Sequence, residues 1–201
     1  MTAVMICIAS LGALAQPVDC WFTLQVGTSM VAPDNNVKTE LGLEKDFGIA
    51  GALGFEFGFT YKNLDVFIDI SEEEAFFKSN DRSLKTESMN ISLNFAYPFY
   101  KNDRYAFAAE LGLGTFLNDI KYGGGLVFSN LIYDQKYNLY IPAGVSMRIK
   151  QGESHSVKMG LYYRHSIETG STKLFGGDKV DNFPLYKLNS LLFKIGYVFA
   201  I

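Results

Sequence analysis

The sequence predicts an all-β fold, an eight-stranded antiparallel up-and-down transmembrane β-barrel. Three observations carry this expectation. Apolar and polar residues alternate with period two in about eight separate segments, none of which sustains a 3.6-residue period. The connections between segments alternate long and short, as in barrels with short turns at one rim and large loops at the other. The polar face of each segment is rich in Gly, Ala, Ser and Asn, which suits a narrow lumen shared by eight strands better than a solvent-facing sheet.

The first segment is Cys20–Met30, with Phe22, Leu24, Val26 and Met30 on one face. The second, Phe47–Tyr61, is the clearest: Phe47, Ile49, Leu53, Phe55, Phe57, Phe59 and Tyr61 alternate with small residues and Glu56. Successive strand side chains point to opposite faces, so this run separates bulk from space almost completely. The third is Leu64–Ser71, where Leu64, Val66, Ile68 and Ile70 oppose Asp65, Phe67, Asp69 and Ser71. Glu87–Tyr97 sets Met89, Ile91, Leu93 and Phe95 against Ser88, Asn90, Ser92 and Asn94. Tyr105–Leu117, Tyr137–Ile149, His155–Ile167 and Lys187–Ile201 complete the set. The long connections are 31–46, 72–86, 118–136 and 168–186, and the short ones are 62–63, 98–104 and 150–154. The short ones carry turn residues: Asn63, Asn102-Asp103 and Gln151-Gly152.

Composition sets the class. A chain of 201 residues with 48% hydrophobic and 15% aromatic residues is long enough for one domain and too apolar to be disordered. A net charge of -3 leaves no basic footprint for nucleic acid. Val4–Ala15 is a short apolar run ending Ala13-Leu14-Ala15, the small-x-small pattern of a secretory cleavage site. Residues 1–15 are therefore expected to be a signal peptide and 16–201 the barrel domain. Cleavage would leave Cys20 as the lone thiol, so no internal disulfide is expected.

The charges on the small-residue face fix its direction. Glu56, Asp65, Asp69 and Glu110 come from earlier segments, and Arg148, Lys158, Arg164 and Lys194 from later ones. A basic residue facing lipid at mid-membrane costs about 2–4 kcal/mol, so turning all four outward would cost on the order of 8–16 kcal/mol. That equals the whole stability of a domain. In a membrane barrel these groups must point inward, where buried charges persist only when paired. The expectation is a salt-bridged, plugged lumen made by these eight residues. Aromatic residues near segment ends, including Trp21, Tyr61, Tyr97, Phe99, Phe76 and Phe116, are expected to form girdles at the two interfaces.

With this pattern and the ending Leu191-Leu192-Phe193-Lys194-Ile195-Gly196-Tyr197-Val198-Phe199, the chain resembles small eight-stranded outer-membrane barrels of the OmpX and OmpA-transmembrane type. It looks similar to the outer-membrane β-barrel proteins of Bacteroidetes that include PorT-like proteins. The resemblance covers nearly all of 16–201. It implies a multi-pass, porin-like barrel in the outer membrane of a Gram-negative bacterium, exported by its signal peptide and inserted by the barrel-assembly machinery. The surroundings implied are outer-membrane lipid and lipopolysaccharide, the state a monomer, and the role structural or surface-interacting through the outer loops.

Two other functions are weighed. One is a lipid-modifying enzyme resembling lipid A deacylases, which pair His and Ser on one outer face. Here His165 and Ser166 are adjacent and face opposite ways, so no catalytic residue is assigned. The other is a secreted soluble barrel holding an apolar ligand. Glu72-Glu73-Glu74 reads as a solvated acidic loop, Gly123-Gly124-Gly125 lacks the Lys-Ser/Thr of a phosphate loop, and no ligand spacing for a metal or cofactor is present.

Overall fold

The structure is a computed structural model that describes residues 19–32, 48–78, 82–124, 129–131, 138–167, 171–174, 180–184 and 189–201. Eight long strands build the wall: β1 (Asp19–Ala32), β2 (Gly48–Tyr61), β3 (Leu64–Lys78), β4 (Arg82–Lys101), β5 (Tyr105–Gly124), β6 (Asn138–Lys150), β7 (His155–Ser166) and β8 (Asn189–Ala200). Each pairs antiparallel with its neighbours in sequence. The ring closes where β1 meets β8, from Trp21↔Ala200 to Ala32↔Asn189. Closure leaves no sheet edge, so every wall strand has two partners. Three short strands lie beyond the wall: Ser129–Leu131 pairs with β5, while Ser171–Leu174 and Val180–Pro184 pair with each other.

The period-two pattern becomes two unlike surfaces. Leu24, Val26, Leu53, Phe55, Ile68, Leu93, Leu111, Val145, Leu161 and Phe193 face outward and are exposed. Thr23, Gln25, Glu56, Asn94, Ser146 and Lys194 face inward and are buried. Lumen glycines make space for the large rings among them: a side chain at Gly58 would collide with Trp21 and Phe67, and one at Gly160 with Tyr162.

The wall departs from the sequence expectation in three places. Strands β3, β4 and β5 extend well past the segments read from alternation, and only residues 79–81 separate β3 from β4. Thus 72–78 and 82–86, expected to be loop, are paired strand, with Glu74↔Glu87 and Lys78↔Ser83 in register. Ladder hydrogen bonds use backbone groups and continue where the side chains have turned polar. Trp21 and Phe116, assigned to the interface girdles, are instead buried inside at 3% and 4% exposure. Each shares the odd or even position of its strand's polar face: Trp21 with Thr23 and Gln25, Phe116 with Glu110 and Gly114. Phe76, Tyr61, Tyr97 and Phe99 are exposed outside. The segment 1–15 and residue Phe47 lie outside the described residues.

The short turns hold the wall at one rim. At Lys62-Asn63 the positive φ of 57° falls on Lys62, although Asn63 carries the turn signal. In the β4–β5 turn, Asn102 Oδ1 accepts from the backbone N–H groups of Arg104 and Tyr105, at 2.9 and 2.7 Å. Asn102→Ala frees both donors to water at an exposed site. It is expected to cost about 1 kcal/mol, the worth of a side-chain cap, measurable as a lower denaturant midpoint at unchanged slope. The β5–β6 ladder runs to Leu111↔Ala143 and resumes at Gly114↔Tyr140. Pro142, which has no N–H to give, sits in that interruption.

Candidate functional site

The chemistry-bearing groups of the described residues gather inside the barrel in four tiers. Nearest the short turns, Arg148 Nη2 donates to Asp65 Oδ2 at 3.4 Å, and Thr60 Oγ1 donates to Asp65 at 2.6 Å. Above it, Lys158 Nζ lies 3.0 and 3.2 Å from the two oxygens of Glu56 and 3.1 and 3.4 Å from those of Glu110. Ser146 Oγ is hydrogen-bonded to Glu110. In the third tier Lys194 pairs with Asp69, which also accepts from Gln25 Nε2 at 2.8 Å. In the fourth, Arg164 forks onto both oxygens of Glu73 at 2.6 Å, while its Nε donates to Ser190 Oγ at 2.8 Å. Ser29 Oγ donates to the same carboxylate at 3.2 Å.

Each base also lies over an aromatic ring of the lumen. Arg148 is 4.9 Å from the Trp21 ring, Lys158 4.2 Å from Phe67, Lys194 5.7 Å from Tyr162 and Arg164 5.8 Å from Tyr140. A ring face attracts a desolvated cation, so each rung has a carboxylate and a π-face in place of water. The inward rings of Trp21, Tyr140 and Tyr162 therefore belong to the charge network.

The structure brings Glu56, Asp65, Asp69, Glu110, Arg148, Lys158, Arg164 and Lys194 together along one axis. It adds a residue the sequence reading placed in a solvated acidic loop. Glu73 is 6% exposed and is the partner of Arg164. Its neighbours Glu72 and Glu74 point outward, and Lys85 bridges Glu74 and Glu87 on the outer surface at 2.8 Å each. The signal that could have found Glu73 is its alignment with Asp65, Asp69 and Ser71 at every second position.

Packing closes the lumen between the tiers. The described residues leave small cavities of about 20 Å³ there, one beside Glu73 and Arg164, another between Asp69, Glu110, Tyr162 and Lys194. Each is about the size that one water needs. At the short-turn rim the barrel opens into a vestibule of about 300 Å³, with Trp21, Arg148, Glu110 and Lys158 in its lining.

Among the described residues, the histidine and serine weighed for lipid chemistry do not face each other. His165 is exposed and stacks on Tyr163 with ring centroids 6.3 Å apart, whereas Ser166 faces inward and is 2% exposed. Among the described residues, no three His, Cys, Asp or Glu side chains gather as a metal-binding set.

Fold and lumen together define an eight-stranded antiparallel barrel of inverted polarity, apolar outside and ion-paired inside. Known structures with the same architecture include the Neisserial surface protein NspA, at 12% identity and a TM-score of 0.55, with 92% of this chain and all of that one covered. Outer Membrane Protein W of E. coli matches at 12% identity and 0.52, covering 94% of this chain and all of that one. A major outer membrane protein of Thermus thermophilus matches at 12% and 0.52, covering 90% of this chain and 99% of that one. At such identities the likeness is one of fold. No protein-family model matches the sequence, and no curated protein does.

Proposed function

We propose that this protein is an integral outer-membrane barrel with a plugged polar lumen, acting as a structural or surface-interaction protein through the loops at its long-connection rim. The observation that carries this reading is the inversion of polarity. Outward Leu53 is 64% exposed while inward Glu56 is 1% exposed, three residues away on the same strand. Such a wall is stable where lipid covers it and costs heavily in water. The fold shared with outer-membrane proteins supports the location.

On this reading residues 1–15 direct export and are removed, the barrel-assembly machinery inserts the remainder, and the short turns face the periplasm. The barrel acts as a monomer, with outer-membrane lipid and lipopolysaccharide against its wall. Membership of the Bacteroidetes PorT-like group is part of the proposal and rests on the sequence pattern. The alternative of a soluble apolar-ligand carrier has little support, because the described lumen is lined by ion pairs. A lipid-modifying role is disfavoured by the opposite directions of His165 and Ser166.

The test is membrane fractionation followed by reconstitution. The protein is expected to resist carbonate and salt, to dissolve only in detergent, and to run on gels with a folded mobility that boiling abolishes. Release by carbonate would overturn the membrane assignment. In planar bilayers the folded protein is expected to give no stable large conductance; a persistent open channel would refute the plug.

A further inference from the structure

The four lumen bases are not equally satisfied. Arg164 spends Nη1, Nη2 and Nε on Glu73 and Ser190, at 2.6–2.8 Å. Lys158 has four carboxylate oxygens at 3.0–3.4 Å, and Lys194 has Asp69. Arg148 carries the same five N–H donors as Arg164. Among the described residues it spends one of them, from Nη2 to Asp65 at 3.4 Å. Its side chain is 27% exposed, and it lines the vestibule of about 300 Å³ at the short-turn rim. That volume lies at the low end of the range for small-molecule sites.

We propose that the vestibule is a binding site for a small oxyanion, a solute bearing a carboxylate or phosphate group, with Arg148 as its anchor. A planar guanidinium takes two oxygens of such a group through parallel N–H bonds, a geometry that a lysine ammonium lacks. The Trp21 ring lies 4.9 Å from the Arg148 guanidinium carbon and supports the cation without consuming a hydrogen-bond donor. Asp65 does not depend on Arg148 alone. Thr60 Oγ1 donates to it at 2.6 Å, so Arg148 can turn to a ligand while Asp65 keeps a partner. The exposed Lys101, Arg104 and Lys150 of the lining are matched by the exposed Asp19, Asp103 and Glu153, so these six charges favour neither sign. Deeper in the lining, Glu110 and Lys158 are engaged with each other. The preference for an anion therefore comes from the unspent donors of Arg148. The site follows from the barrel's geometry; that its solute is periplasmic rests on the outer-membrane location proposed for the barrel.

Trp21 is the only tryptophan of the chain, so its fluorescence reports on the surroundings of Arg148. The full chain, folded in non-ionic detergent micelles, is titrated with inorganic phosphate and with succinate while sodium chloride holds the ionic strength constant. A saturable change in emission is expected with at least one of the two anions and none with chloride alone. Equilibrium dialysis of the labelled anion gives the affinities of the variants. Arg148→Gln is expected to weaken binding by about tenfold or more, the worth of a hydrogen bond to a charged group. Asp65→Asn, which removes the competing carboxylate, is expected to tighten it. Lys150→Gln, at the exposed rim, is expected to stay within about threefold of the wild type, as a surface charge does. No saturation with either anion, unchanged affinity in Arg148→Gln, unchanged or weaker binding in Asp65→Asn, or a loss in Lys150→Gln as large as in Arg148→Gln overturns the site. If Arg148→Gln does not fold, the wild type and Asp65→Asn decide. Binding is read on the folded barrel in micelles, so its failure leaves the membrane assignment standing, and release of the protein by carbonate leaves the site standing.

Discussion

Arg164→Met is expected to cost the folded barrel about 3–5 kcal/mol, the loss that follows when one member of a buried ion pair is removed. Arg164 is 7% exposed and satisfies both oxygens of Glu73 at 2.6 Å as well as Ser190. Without it, Glu73 keeps, among the described residues, the Ser29 hydroxyl as a donor, in a space that holds about one water. The double variant Arg164→Met, Glu73→Leu removes both charges and is expected to recover most of the loss, since apolar replacement of a buried pair is often neutral or stabilising. Urea titrations of the folded form in detergent, followed by gel mobility, give the comparison. Equal destabilisation by the single and double variants would show that packing, rather than charge compensation, holds this tier.

The second large effect belongs to the outer wall. Leu93 is 46% exposed and flanked across the ladders by Ile68 and Leu113, near the middle of the apolar belt. Leu93→Arg is expected to cost about 2–4 kcal/mol in a bilayer, against about 0–1 kcal/mol for an arginine near the interface. Tyr97→Arg, on the same face of β4 and closer to the short turns, supplies that second case. The pair separates depth in lipid from any general intolerance of charge on the strand. If both variants refold into vesicles equally well, the wall does not face hydrocarbon.

The barrel was legible because period two is a property of the backbone that side chains either respect or break. Phe55, Ile68, Leu93 and Phe193 respect it, and all four are exposed outside. The pairing of Lys158 with Glu56 could be anticipated only in kind, since it joins residues 102 apart in sequence and depends on how the ring closes. Glu73 escaped because three consecutive glutamates resemble a solvated run, and a strand whose outer face turns polar looks like a loop. Trp21 and Phe116 escaped for the opposite reason: aromatic character suggested an interface, while position in the alternation placed them indoors.

The order of charges along the chain has a consequence for how the barrel is made. Among the described residues, the five interior acids lie on β2, β3 and β5, and the four bases on β6, β7 and β8. Hydrogen-bonded acid–base partners are 48 to 125 residues apart. None of these ion pairs joins neighbouring strands, so no single hairpin forms one by itself. Each base meets its acid only where β6, β7 and β8 are brought round to β2, β3 and β5. Long-range closure of this kind makes assembly slow and cooperative. The ion pairs that seal the finished lumen thus need both halves of the chain in place.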